Sequence, residues 1–181
     1  AINDIGDIDN IAYLLKYDSV YGKLDEEVSV DGSNLKVGDR VITFLSEREP
    51  AKLPWKDLDI DIVVESTGRF ADYGKANAHR DAGAKRVVVS SPVKGEAPEG
   101  IDAATVLMGV NEDRLKTCDI SSNASCTTNS ASPVMQIMEE ALDGSGLKPE
   151  NVSHTLLVGG STRIPLVTET IEKVMKKLPL K

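Results

Sequence analysis

The 181-residue sequence predicts an α/β fold, with a doubly wound, mainly parallel sheet and a small antiparallel hairpin region. Short apolar runs without polar alternation occur at residues 59–64, 86–89 and 105–108, and a helical stretch separates the first two. Runs of this kind are typical of parallel strands that are covered on both faces. Residues 27–37 instead alternate on either side of Asp31-Gly32, which predicts a hairpin, and residues 41–45 continue as a third antiparallel strand.

The helices follow from capping residues and from a period near 3.6. Asp9 is expected to cap a first helix, and a second helical stretch is expected to start after Asp72 and to end at Gly83. A strand at 119–122 leads into a helix from Cys126, and a strand at 154–158 leads through a glycine turn into a last helix with Pro165 in its first turn. The residues expected to be buried on these helices are Ile11, Ala12, Leu14 and Leu15; Val134, Ile137, Met138, Ala141 and Leu142; and Val167, Ile171, Val174, Met175 and Leu178.

The charge balance restricts the class of partner. Lys and Arg number 21 against 29 Asp and Glu, so the formal net charge is −8. An acidic surface argues against binding to nucleic acid or to an anionic membrane, because both need a cationic field. The two cysteines make neither a disulfide framework nor a zinc site, so we expect no metal and a reducing, cytoplasmic setting.

The first 130 residues or so carry a set of specific motifs. They are Ala1-Ile-Asn-Asp4, Tyr13-Leu-Leu-Lys-Tyr-Asp-Ser-Val20, Leu53-Pro-Trp55, Val64-Glu-Ser-Thr-Gly68, Met108-Gly-Val-Asn111 and Ser122-Asn-Ala-Ser-Cys-Thr-Thr-Asn129. This stretch resembles the NAD-binding domain of glyceraldehyde-3-phosphate dehydrogenase. The resemblance implies a Rossmann-like fold and a possible, weak NAD site.

The resemblance also implies which residues meet the cofactor. Asp4, at the tip of a strand, is expected to accept hydrogen bonds from the adenosine ribose. Arg48 is expected either near the adenine or as an ordinary solvated surface charge, and the two alternatives stay open. The full set of cofactor residues expected from this resemblance is Asn3, Asp4, Arg48, Ser66, Thr67, Gly68, Ser90 and Ser91.

Cys126 opens a predicted helix, whose positive end favours an exposed thiolate. In the family that residues 1 to about 130 resemble, the thiolate attacks an aldehyde, hydride passes to nicotinamide, and phosphate releases the acyl group. That chemistry needs a histidine base. His79 is expected to be a surface or packing residue, and His154 is expected at the far end of its strand, roughly 15 Å away at ~3.3 Å per residue. Cys126 is therefore expected to be a vestigial nucleophile.

The segment from about 133 to 181 carries different motifs, which are Ala141-Leu142, Gly146-Leu-Lys-Pro-Glu150, Thr155-Leu-Leu-Val-Gly-Gly-Ser-Thr-Arg-Ile-Pro165 and Leu178-Pro-Leu-Lys181. It resembles the ATPase domain of DnaK-type heat-shock chaperones, within the actin-like ATPases. The resemblance implies that Gly159, Gly160, Ser161 and Arg163 approach the adenosine end of ATP. The alternative is a glycine turn that only joins a strand to a helix. ATP or ADP is less expected than NAD.

Together the two resemblances suggest a designed or recombined chimera, spliced near Ser130 to Val134. We expect one Rossmann-like domain over 1–181, with parts 1–132 and 133–181. The strand at 155–158 is expected to lie between the strands at 1–4 and 59–64, where it replaces a missing first strand and gives a permuted sheet. The alternative places it beside the 119–122 strand.

Three functions remain open from the sequence. The first is a scaffold with no selected catalytic activity and residual weak binding of NAD or an adenine nucleotide. The second is a fragment of an NAD-dependent, phosphorylating dehydrogenase, and the third is an interaction module. The oligomeric state is not fixed by the sequence.

Overall fold

The computed structural model describes residues 1–159 and 165–180, which form two compact units. The first unit comprises residues 1–63 and 74–87, and the second comprises residues 64–73 and 88–181. The described strands and helices, in chain order, are β1 (Ile2–Asn3), α1 (Ile8–Lys16), β2 (Tyr17–Asp18), β3 (Gly22–Lys23), β4 (Val28–Asp31), β5 (Asn34–Val37), β6 (Arg40–Leu45), β7 (Ile62–Glu65), α2 (Tyr73–Ala76), α3 (Ala78–Asp81), β8 (Arg86–Val89), β9 (Ala103–Thr105), β10 (Ile120–Ser122), α4 (Cys126–Ser145) and α5 (Pro165–Met175).

The first unit contains a four-stranded sheet in the order β1-β6-β5-β4. Strands β4, β5 and β6 are antiparallel, and β1 runs parallel to β6. Asp31 pairs with Asn34 across a two-residue turn, where Gly32 has φ +60°. A positive φ at the first turn position is what such a hairpin needs. The predicted hairpin and third strand are confirmed.

Helix α1 begins two residues earlier than predicted. The cap is Asp7, not Asp9, because Oδ1 of Asp7 accepts the N–H groups of both Asp9 and Asn10 at 3.1 Å. These amides lie in the first turn and have no carbonyl partner within the helix. Ala12 is buried, but Leu14 is 55% exposed, so the predicted apolar face of α1 is covered only in part.

The first unit also holds an apolar cluster of Leu53, Trp55, Val63 and Ala84. Trp55 donates its indole N–H to Nδ1 of His79 at 3.0 Å, and both side chains are buried. His79 is thus a packing residue, one of the two alternatives that the sequence left for it.

The second sheet has the order β7-β8-β10-β9. Strands β9 and β10 are parallel. The N–H of Ser90, after β8, donates to the carbonyl of Glu65 at the end of β7, and the N–H of Asn123, after β10, donates to the carbonyl of Val89. Each of these hydrogen bonds joins the carboxyl ends of two neighbouring strands, which is the arrangement found in parallel sheets. The α/β prediction with a parallel sheet and a separate antiparallel sheet is confirmed. The strand predicted at 105–108 lies instead at 103–105.

The segment after α4 differs from the prediction. Neither sheet in the described part of the chain includes residues 155–158, so this segment takes neither of its two predicted positions. Instead Leu156 forms an isolated parallel bridge with Leu180, and the N–H of Leu157 donates to the carbonyl of Leu180 at 3.0 Å. Leu156 is 65% exposed, which does not suit a strand covered on both faces.

The two C-terminal helices bury less than their periodicity predicts. On α4, Val134 and Ile137 are 63% and 64% exposed, and none of its residues is fully buried. On α5, Ile171 and Met175 are buried as predicted, whereas Leu178 lies beyond the helix and is exposed.

Candidate functional site

The candidate site is the edge of the parallel sheet at which β7, β8 and β10 end. The loops that follow these strands carry Ser66-Thr67-Gly68, Ser90-Ser91 and the approach to Cys126. The end-to-end backbone bonds described above place the loop after β7 beside that after β8, and the loop after β8 beside that after β10. Carboxyl ends of parallel strands are where open α/β sheets bind ligands.

The loop after β7 is held by an acidic side chain. Glu65, which is only 4% exposed, accepts the N–H of Thr67 at 2.7 Å and the hydroxyl of Thr67 at 2.5 Å. The Thr67 hydroxyl oxygen in turn accepts the N–H of Arg69 at 3.1 Å. Gly68 lies within this loop at φ +73°, a conformation that favours glycine. Ser66, Thr67 and Gly68 themselves are exposed.

The loops after β8 and β10 are joined through one buried hydroxyl. Ser122, which is 1% exposed, donates to the carbonyl of Ser91 at 2.8 Å and accepts the N–H of Ala124 at 3.2 Å. Ala124 has φ +59°, which is uncommon for a residue with a side chain. The two bonds fix the corner between β10 and α4.

Cys126 is the first residue of α4 and is exposed, as the sequence predicts. Ser125 caps the helix by accepting the N–H of Thr128 at 3.2 Å. The side-chain amide of Asn129 donates to the carbonyl of Asn123 at 2.8 Å. The thiol is therefore exposed at a helix start that these two hydrogen bonds brace.

Asn3 has a structural partner in the first unit. Its amide N–H donates to the carbonyl of Glu47 at 3.0 Å, and its amide oxygen accepts the N–H of Glu47 at 2.8 Å. The side chain thus ties β1 to the chain after β6. The N–H of Glu49, donated to the carboxylate of Glu47, lowers the pKa of that group.

Asp4 and Arg48 also belong to the first unit, and both are exposed. Oδ1 of Asp4 accepts the N–H of Gly6 at 2.7 Å, which steadies the carboxylate at the end of β1. An exposed carboxylate at a strand end is chemically able to accept a ribose diol. The roles of Asn3, Asp4 and Arg48 toward a cofactor stay predictions.

Of the glycine turn predicted to approach an adenosine, only its first residue is described. Gly159 is exposed and has φ +112°, in keeping with a turn after residue 158. Gly160, Ser161 and Arg163 lie outside the described residues.

Metal sites and membrane-spanning helices are two other classes of site that residues 1–159 and 165–180 could hold. No three His, Cys, Asp or Glu side chains in these ranges come together in a way that could hold a metal ion. Over the same ranges, the helices are all too short or too polar to cross a membrane.

Glu65 and Ser122 are the residues of this edge that sequence reasoning missed. Each is the last residue of its strand, and a polar residue at that position usually indicates the start of an exposed loop. In the sequence, only their position directly before the predicted loop residues indicates that they belong to the site.

Comparison with known proteins gives two different matches along the chain. Residues 1–73 match a family model described as "Glyceraldehyde 3-phosphate dehydrogenase, NAD binding domain", and residues 125–181 match one described as "Hsp70 protein". Two different family models therefore match different parts of this chain.

Curated relatives support the dehydrogenase resemblance. Glyceraldehyde-3-phosphate dehydrogenase of Geobacillus stearothermophilus is 47% identical over 142 residues, which cover 77% of this chain and 41% of the relative. The Priestia megaterium protein of the same name is 47% identical over 150 residues, with 82% and 42% covered. Glyceraldehyde-3-phosphate dehydrogenase 1 of Streptomyces arenae is 44% identical over 144 residues, with 78% and 41% covered.

The chain spans about two fifths of the length of these relatives. An aligned stretch that covers 77% of a 181-residue chain ends inside or beyond α4, wherever it begins. The dehydrogenase and Hsp70 matches therefore overlap at α4.

Proposed function

We propose that the chain is a nucleotide-binding fragment of the glyceraldehyde-3-phosphate dehydrogenase type that binds NAD weakly. The observation that carries the proposal is the pair of braced loops after β7 and β8, in which Ser66, Thr67, Gly68 and Ser90 are exposed. Residues 1–73 also match the model of an NAD-binding domain, and the relatives are 44–47% identical. Ser66, Thr67, Gly68, Ser90 and Ser91 are the residues proposed to face the ligand.

The proposed affinity is weak because residues 1–181 are expected to offer the pyrophosphate few backbone N–H groups. A Gly-x-Gly-x-x-Gly sequence normally lets the backbone approach the pyrophosphate of a dinucleotide, and this sequence contains none. The sequence Gly159-Gly-Ser-Thr-Arg163, which is predicted from the sequence to be a glycine turn before a helix, is proposed as a partial substitute, because such a turn presents N–H groups to an anion. It is also the segment proposed to give a lower affinity for ATP or ADP.

We further propose that the chain has no selected catalytic activity and arose as an engineered or recombined chimera of the two families. An acyl-transferring thiol needs a base to accept its proton. The sequence holds two histidines, and Nδ1 of one of them, His79, accepts the indole N–H of buried Trp55. Cys126 would then be a nucleophile that has kept its position but not its base. The assignment of 1–181 as one domain, with parts 1–132 and 133–181, stays a prediction.

Isothermal titration calorimetry with NAD and, separately, with ATP tests the binding proposal. We expect a weak, saturable heat with NAD and a smaller one with ATP. The absence of heat with either nucleotide would leave only a folded scaffold and would overturn the proposal.

The second candidate function is NAD-dependent aldehyde oxidation. The exposed thiol of Cys126 at the start of α4 favours it. The test is the appearance of NADH absorbance with glyceraldehyde 3-phosphate, NAD and phosphate, with Cys126→Ser as the control. A rate above that of the Cys126→Ser variant would establish the dehydrogenase and exclude the inactive scaffold.

A further inference from the structure

The starting observation is an acidic side chain that lies inside the fold while the loop after it lies outside. Glu65 is 4% exposed, and Ser66, Thr67 and Gly68 are exposed. A buried carboxylate is costly unless it accepts hydrogen bonds. Here its Oε1 accepts two from Thr67, one from the backbone and one from the hydroxyl.

The second observation concerns the hydroxyl of Thr67. A threonine hydroxyl has one hydrogen to donate, and in this structure Glu65 receives it. The same oxygen accepts the N–H of Arg69 at 3.1 Å. The hydroxyl is therefore engaged within the protein, and its effect is to close the chain from residue 65 to residue 69 around Gly68.

We propose that Glu65 is a positioning residue of the NAD site, which acts through Thr67 and does not itself touch the ligand. The inference rests on the proposed function. A loop that is already fixed loses little conformational freedom when a ligand binds, so more of the contact energy appears as affinity. The proposed role of Thr67 also differs from that of a ligand contact: its side chain shapes the loop, and the ligand contacts the exposed surface of the loop.

The test is NAD affinity by calorimetry in two pairs of variants. Glu65→Ala removes the acceptor, and Thr67→Val removes the hydroxyl from an exposed position where the fold is at little risk. We expect each to weaken NAD binding by at least about tenfold, because each removes two hydrogen bonds of the loop and one net hydrogen bond corresponds to up to about tenfold. Glu65→Gln keeps an oxygen acceptor, and Thr67→Ser keeps the hydroxyl, so each should recover most of the affinity that its partner variant loses.

A second measurement separates a local effect from general damage. Amide hydrogen exchange should become faster at Thr67 and Arg69 in Thr67→Val, while exchange within β5 and β10 stays as in the wild type. Wild-type binding with unchanged affinity in Thr67→Val would overturn the inference and leave the proposed function standing. Equal losses in Thr67→Ser and Thr67→Val would overturn it as well. No NAD binding by the wild type would overturn the proposed function and the inference with it.

Discussion

Among the glycines in the part of the chain that the structure describes, Gly83 is the one whose replacement is predicted to be most damaging. It has φ +111°, and a Cβ built there would lie 2.5 Å from Cβ of Lys56 and 2.7 Å from its Cα and backbone N. Two of these three atoms belong to the backbone, so no side-chain rotation relieves the contact. The backbone N–H of Lys56 also donates to the carbonyl of Ala82 at 3.1 Å, which ties the two segments together.

Two effects are expected to lower the free energy of unfolding of Gly83→Ala. A residue with a side chain held at a strongly positive φ costs about 1–3 kcal/mol. Forcing extra volume into a closely packed contact adds about 1–3 kcal/mol. The matched control is Gly22→Ala, in the same unit, with φ +82° and no atom within 4 Å of the added Cβ. The control should show only the first part, so the two variants should differ by about 1–3 kcal/mol.

Urea unfolding followed by tryptophan fluorescence is the assay for this pair. Trp55 is the sole tryptophan, is 4% exposed, and precedes Lys56 in the chain, so it reports on the unit that contains both glycines. The urea concentration at the unfolding midpoint should be clearly lower for Gly83→Ala than for Gly22→Ala. Equal free energies of unfolding in the two variants would show that Gly83 does not approach Lys56 in this way.

Two further predictions concern stability. Trp55→Phe removes the N–H that Nδ1 of buried His79 accepts, so the free energy of unfolding, measured by urea titration followed by circular dichroism, should fall by about 1–3 kcal/mol; no measurable fall would show that the bond does not form. The hydrogen bond from Thr117 and then the neighbouring Arg114 lower the pKa of Asp102, so its stabilising effect is present at neutral pH and is lost as the pH falls through that lowered pKa. Asp102→Asn should therefore lose less stability than the wild type on acidification below about pH 4, and identical acid-unfolding curves would contradict this.

The sequence predicted best those features that depend on neighbours along the chain. The hairpin at 28–37 and the start of α4 at Cys126 are both set by local residues, a glycine turn in one case and a serine cap in the other. The cap of α1 was placed two residues late, because Asp7 and Asp9 are chemically equivalent and only the geometry shows which carboxylate reaches the free amides.

Features that depend on distant partners were predicted less well. Periodicity marks an apolar face on α4, but it cannot say whether another element covers that face, and Val134 and Ile137 are exposed. The apolar run at 155–158 reads as a buried strand, yet its backbone pairs with Leu180 near the end of the chain.

The candidate site shows the same limit. The exposed loop residues could be predicted from their motifs, which lie at strand ends. The buried residues that brace these loops, Glu65 and Ser122, could not, since burial at a strand end depends on packing from elsewhere in the fold.

A heteronuclear NMR titration of the whole chain with NAD tests whether the loops after β7 and β8 bind the cofactor. We predict saturable shifts at the amides of Thr67, Gly68 and Ser91, which lie in these loops, and little change in the hairpin β4–β5. The absence of saturable shifts, or shifts confined to α5, would contradict it.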